Sequence, residues 1–178
     1  MGAGKTSVGR ALGQRLNWVF EDLDDRIVER EGRSIAEIFR QSGEAAFREA
    51  EHSALRAVLE DLRTGAPRII ALGGGAFAQQ RNLVLLRSGG VPTVFLDAPV
   101  DELWQRCCRQ AGASSIERPL QNSLDQFRAL YGARRNSYRK ALLKIETAGR
   151  TVDAIAAEIA EKLSLAGVAV RFETGETE

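Results

Sequence analysis

Near the start of the chain, Gly2, Ala3, Gly4, Lys5 and Thr6 read GAGKT, the closing half of a G-x-x-x-x-G-K-[ST] phosphate-binding loop. Backbone N–H groups of such a loop point at phosphate oxygens, and the helix that follows adds the positive end of its dipole. Lys5 is then placed to hold β- and γ-phosphates, and the Thr6 hydroxyl to take Mg2+. In FEDLDDR, Asp22 and Asp24 stand one residue apart. Two carboxylates beside phosphates can divide the work, one near Mg2+ and the other accepting the proton of an attacking hydroxyl. IIALGGGAF carries Gly73, Gly74 and Gly75 directly after an apolar run, where missing Cβ atoms let backbone approach a ligand. Finally, Arg48, Arg118, Arg134 and Arg135 offer planar, always-charged forks for carboxylate or phosphate. Each piece also has a plainer reading taken alone: a helix start, an acidic loop capping the next helix, a flexible connection, a solvated charge.

The elements that must position these groups alternate. Val8, Leu12 and Leu16 share a face in TSVGRALGQRL, which predicts a helix over 6–16. WVFED (18–22), RIIAL (68–72), TVFLD (93–97) and LLKIET (142–147) read as short buried strands. Helices are expected over 25–33, over SIAEIFRQ with Ser34 and Glu37 as a capping box and Gly43 as its stop, and over 43–63. The DDRIVEREGR stretch reads as an exposed helical face with i,i+4 pairing. Such β-α alternation implies a parallel sheet covered by helices, with ligands outside the carboxyl ends of the strands.

Composition narrows the classes further. The chain has 178 residues, 25 Lys and Arg against 24 Asp and Glu, and a formal charge of +1, so no bulk field recruits nucleic acid or an anionic membrane. With no apolar run near membrane length and no basic-then-apolar leader, a cytoplasmic location is expected. Cys107 and Cys108 are adjacent and read as plain thiols. His52, the single histidine, reads as structural, and Trp18 and Trp104 as packing.

Taken in order, GAGKTSVGR, FEDLDD, GRSIAEIF, GEAAFREAE, ALGGGA, ERPL and RRNSY resemble the shikimate kinases, from Met1 to about Leu163. GRSIAEIF followed by GE-x-x-FR-x-x-E separates that family from gluconate and adenylate kinases, which share the loop. The resemblance implies a three-layer α/β/α P-loop NTPase fold with a five-stranded parallel sheet and a mobile lid, here about 111–125. It implies MgATP-dependent phosphorylation of the 3-hydroxyl of shikimate. ATP would be held by Gly2, Ala3, Gly4, Lys5, Thr6 and Ser7, with Arg118 from the lid and Arg109 and Arg150 near adenine. Thr6 and Asp22 would serve Mg2+; Asp24 would bind substrate hydroxyls and act as base. Arg48 and Arg134 would clamp the shikimate carboxylate beside Gly73, Gly74 and Gly75. Arg134 rather than Arg135 is selected by counting back four residues from Tyr138, although Asn136 and Ser137 replace the family's proline and leucine.

The same resemblance places a central strand and the first glycine of the loop ahead of Met1, so the functional protein is expected to carry about ten more residues. One kinase domain over 1–165 and a solvated tail over 166–178 are expected, as a monomer. The alternatives left open are another small-molecule P-loop kinase, of gluconate type, and a non-catalytic nucleotide-binding module.

Overall fold

The structure is a computed structural model that describes residues 2–113 and 123–165. Helices α1 (Lys5–Leu16), α2 (Leu23–Glu31), α3 (Ile35–Thr64), α4 (Gln80–Ser88), α5 (Val100–Ala113), α6 (Leu124–Tyr138) and α7 (Val152–Leu165) alternate with four strands. These are β1 (Val19–Asp22), β2 (Arg68–Ala71), β3 (Val94–Asp97) and β4 (Leu143–Glu146). All four expected strands form, and both pairings are parallel, β1 with β2 and β3 with β4. The α/β reading is therefore correct.

The expected single sheet is divided. Among the described residues, β1-β2 and β3-β4 are separate two-stranded sheets. A cavity of about 1110 Å3 lies where β2 and β3 come nearest, lined by Leu12, Ile70, Leu72, Val94, Leu96 and Ile159 among others. It also explains why β2, apolar enough to read as fully buried, is half-buried over Arg68, Ile69 and Ile70: among the described residues, one flank has no neighbouring strand.

Helix α1 packs on α7 and on β2. Gly9 and Gly13 let α1 lie close on β1 as well, because a Cβ at either would press on Phe20 or the Trp18 carbonyl. Helix α2 packs on α3, burying Leu23 and Ile27 completely. The expected exposed face is present at Asp25 and over residues 28–32, but the pairing differs from the expected i,i+4 pattern. Arg26 reaches off its own helix to Glu21 of β1 at 3.4 Å and to Asp61 of α3 at 2.5 Å, and Arg33 bonds Glu31.

Helix α3 opens with the expected capping box, the Ser34 hydroxyl accepting from the Glu37 N–H and the Glu37 carboxylate accepting from the Ser34 N–H. Gly43 stops the first helical stretch, as expected, and a second follows it directly. Its φ of 77° and ψ of 179° belong to a region almost exclusive to glycine, and helical backbone resumes immediately.

Of the segment expected as a lid, residues 111–113 belong to α5, Ser123 caps α6, Leu124 and Asp125 are helical, and residues 114–122 lie outside the described residues. Arg118 and the 166–178 tail lie outside the described residues. His52 shares a 2.6 Å hydrogen bond with the fully buried Asn82, Trp104 packs edge-on against Phe127, and Trp18 lines the cavity. Cys107 is buried and Cys108 exposed, both free.

Candidate active site

The phosphate-loop residues form a turn into α1. Gly2 and Gly4 both have positive φ, 62° and 80°, and Gly4 is the left-handed N-cap whose carbonyl accepts the Val8 N–H at 2.9 Å. Gly2 has a second constraint: a Cβ there would collide with the Leu103 carbonyl and lie 2.9 Å from the Cys107 sulfur. Ala3 is buried, so the turn is seated against α5. Lys5, Thr6 and Ser7 occupy the first turn of α1, whose N–H groups have no partners within the helix. Anion binding suits that end.

Thr6 and Asp22 meet: the Thr6 hydroxyl donates to Asp22 Oδ2 at 3.4 Å. Asp22 ends β1 and caps α2, its Oδ1 accepting the Asp24 N–H at 3.1 Å. A hydroxyl and a carboxylate oxygen together are hard donors of the kind Mg2+ takes when phosphates and water complete its shell. Among the described residues there is no cluster of three His, Cys, Asp or Glu that could hold a metal, so any Mg2+ here depends on such outside ligands.

Strand register carries this site to the glycine loop. Asp22 pairs with Ala71, which places Asp24, two residues on, beside Gly73. A Cβ added at Gly73 would stand 2.9 Å from Asp24 Oδ1 and 3.3 Å from Glu51 Oε1. At Gly75 it would collide with the Arg48 guanidinium. The middle glycine, Gly74, uses its carbonyl to accept the Tyr138 hydroxyl at 2.5 Å. The three glycines are thus a floor on which an acid and an arginine lie, held from α6 by a tyrosine.

Arg48 is gripped by two carboxylates. Its Nη1 donates to Glu51 Oε2 at 3.1 Å, while Nε and Nη2 donate to Glu44 Oε1 at 3.1 and 3.0 Å. Glu51 is only 1% exposed and also accepts from Gln79 at 2.8 Å. Burial, and the nearby Asp24 charge, push the Glu51 carboxyl above its ordinary range, while the positive charges of Arg48 and Arg134 pull the other way. Arg134, from α6, is thus near enough for its charge to act on Glu51. Arg134 also bonds and acts on the buried Tyr138 hydroxyl. Its neighbour Arg135 points elsewhere, to Asp97 Oδ2 at 3.5 Å.

The remaining expected contacts are placed as follows. Arg109 is exposed on α5. Arg150 donates to the Glu146 carbonyl at 3.1 Å and the Ala154 carbonyl at 3.3 Å, and pairs with Glu158, so it ties β4 to the start of α7. Glu51 and Tyr138 were missed as site residues, although spacing could have shown both. Glu51 lies one helical turn after Arg48, and Tyr138 one turn after Arg134.

The sequence profile of the shikimate kinase family matches residues 1–164. The chain belongs to the shikimate kinase family. It is 43% identical over 163 residues to the shikimate kinase of Geobacter sulfurreducens, covering 90% of this chain and 84% of that one. With a Thermus thermophilus shikimate kinase it shares 40% over 166 residues, 92% of this chain and 85% of the relative. Among solved structures, Aquifex aeolicus shikimate kinase superposes with a TM-score of 0.77 at 36% identity, covering 96% and 94% of the two chains. Acinetobacter baumannii shikimate kinase, solved in complex with shikimate, gives 0.77 at 30% identity, covering 96% and 91%.

Proposed function

We propose that this shikimate kinase transfers the γ-phosphoryl group of ATP to the 3-hydroxyl of shikimate with Asp24 at the reacting hydroxyl and Arg48 and Arg134 on the carboxylate. The observation that supports the assignment is the close approach of Asp24 to Gly73 and of Arg48 to Gly75, with the charge of Arg134 acting on Glu51. Phosphoryl transfer needs alignment and charge stabilisation more than covalent help. Two arginines on an unreactive carboxylate convert binding at one end of the ring into orientation at the other. Asp24 then accepts a hydrogen bond from the hydroxyl and its proton as the oxygen attacks.

Lys5 and the N–H groups at the start of α1 are placed to cradle the phosphates. Thr6 and Asp22 would hold Mg2+, which when bound neutralises charge on the β- and γ-oxygens. Arg118 is assigned to the phosphates by its ERPL motif alone, and Arg109 to the nucleotide by its position before that segment. Arg150 is assigned to the nucleotide by the family resemblance alone, and it also donates to Glu146, Ala154 and Glu158. A cytoplasmic monomer remains the working expectation; no described helix is long and apolar enough to cross a membrane.

Coupled ADP release with shikimate, gluconate and AMP as acceptors tests substrate choice, with turnover expected on shikimate alone. Asp24→Asn should lower kcat by roughly 10²–10⁴-fold. Arg48→Ala should raise the shikimate KM by about 10–100-fold while leaving the ATP KM in place. A shikimate KM unmoved by Arg48→Ala would sink the carboxylate assignment.

A further inference from the structure

Arg48 presents two sides, and its two acids are unlike. Glu51 is 1% exposed and takes Nη1, whereas Glu44 has 68% of its side chain exposed and one of its oxygens takes both Nε and Nη2. The Nε–Nη2 edge is the side of a guanidinium that matches a carboxylate in two parallel hydrogen bonds. The third neighbour of the guanidinium is Gly75, against which it lies so closely that a Cβ would collide. With Nη1 fixed on a buried acid and one face on the floor, the edge held by Glu44 is the one an incoming carboxylate can claim.

We infer that Glu44 is an internal stand-in for the substrate carboxylate, holding the binding edge of Arg48 and giving it up when substrate enters. The inference rests on the assignment of Arg48 to the substrate carboxylate and adds to it a competitor built into the chain. Release is easy for three reasons. Glu44 is mostly in water already. It is the first residue after the non-helical Gly43, so its charge stays favourably placed at the start of the resumed helix after it swings out. Gly43 itself has open space around it. Glu51, buried and also bonded to Gln79, keeps the guanidinium in place meanwhile. The arrangement neutralises Arg48 between turnovers, and it sets a threshold: a ligand must offer Arg48 a better carboxylate than its own helix does.

Exposed pairs one helical turn apart are weak, so the threshold is low. Glu44→Gln should lower the shikimate KM, and the directly measured shikimate Kd, by about two- to threefold with kcat unchanged. Glu60→Gln is the matched control. Glu60 is equally exposed, pairs with Arg56 on the same helix at the same spacing, and should change neither constant. The double variant Glu44→Gln, Arg48→Ala decides between exchange at Arg48 and a general gain in positive potential. The Glu44→Gln gain should vanish when Arg48 is absent. An unchanged or raised KM in Glu44→Gln, or an equal gain in the Arg48→Ala background, overturns the inference. Failure of Arg48→Ala to weaken shikimate binding would instead overturn the carboxylate assignment beneath it.

Discussion

At the scale of single residues, the adjacent pair Arg134 and Arg135 shows how neighbours acquire different work. Successive helix positions face different ways, so only one of them can look into the pocket. Arg135 turns to Asp97, leaving Arg134 beside Tyr138 and within reach of Glu51. Arg134→Ala should therefore raise the shikimate KM about tenfold or more, whereas Arg135→Ala should leave it within about twofold and lower the melting temperature slightly. Steady-state kinetics alongside thermal unfolding separate the two; equal kinetic damage from both would refute this division. The motif count from Tyr138 had already chosen Arg134, since spacing along one helix is local information. The partners of Arg48 were only half legible. Glu51 sits in the quoted GE-x-x-FR-x-x-E pattern, yet its near-complete burial comes from α4 and the glycine turn closing over it.

At the scale of elements, Asp97 joins three of them. It ends β3, accepts the Tyr131 hydroxyl from α6, and lies 3.1 Å from Lys144 of β4. Burial alone would raise its carboxyl, but the hydrogen bonds from Tyr131 and Lys144 and the charge of Arg135 outweigh it and hold it below the ordinary range. Burial and the same carboxylate push the Tyr131 hydroxyl upward. Because the folded value lies below the unfolded one, the linked stability is present above roughly pH 4 and is lost as pH falls through the folded value. Asp97→Asn should accordingly cost about 2 kcal/mol at pH 7, and urea melts should show that difference shrinking below about pH 4. A constant gap across that range would remove the charge from the explanation. Nothing near Asp97 in sequence announces this role. Tyr131 and Lys144 reach it only through the packing of α6 and the β3-β4 pairing.

At the scale of the whole molecule, the cavity between the two sheets departs from a filled α/β core. Its apolar lining loses contacts that close packing would supply, and Ala3 and Lys5 line it too. A variant carrying an apolar, β-branched strand of about five residues directly ahead of Gly2 should fill it. At ~1.5–3 kcal/mol per buried side chain the gain is on the order of 8–15 kcal/mol before ordering costs. Thermal unfolding should then rise by about 10 °C or more, with less binding of an apolar dye. Unchanged melting would show that the cavity is not a strand site. What the chain's own order determined was local: the P-loop turn, the capping box, the four short strands and the acid-and-glycine stretches at their carboxyl ends, because backbone propensity and residue spacing act over a few positions. Tertiary structure alone decided which of those stretches touch, since parallel pairing of β1 with β2 and the packing of α3 and α6 against their ends bring together residues remote in the chain. Burial of Glu51, the choice of Asp97 as the partner of Arg135, and the separation of two sheets around one cavity depend on that long-range geometry. No run of neighbouring residues encodes them by itself.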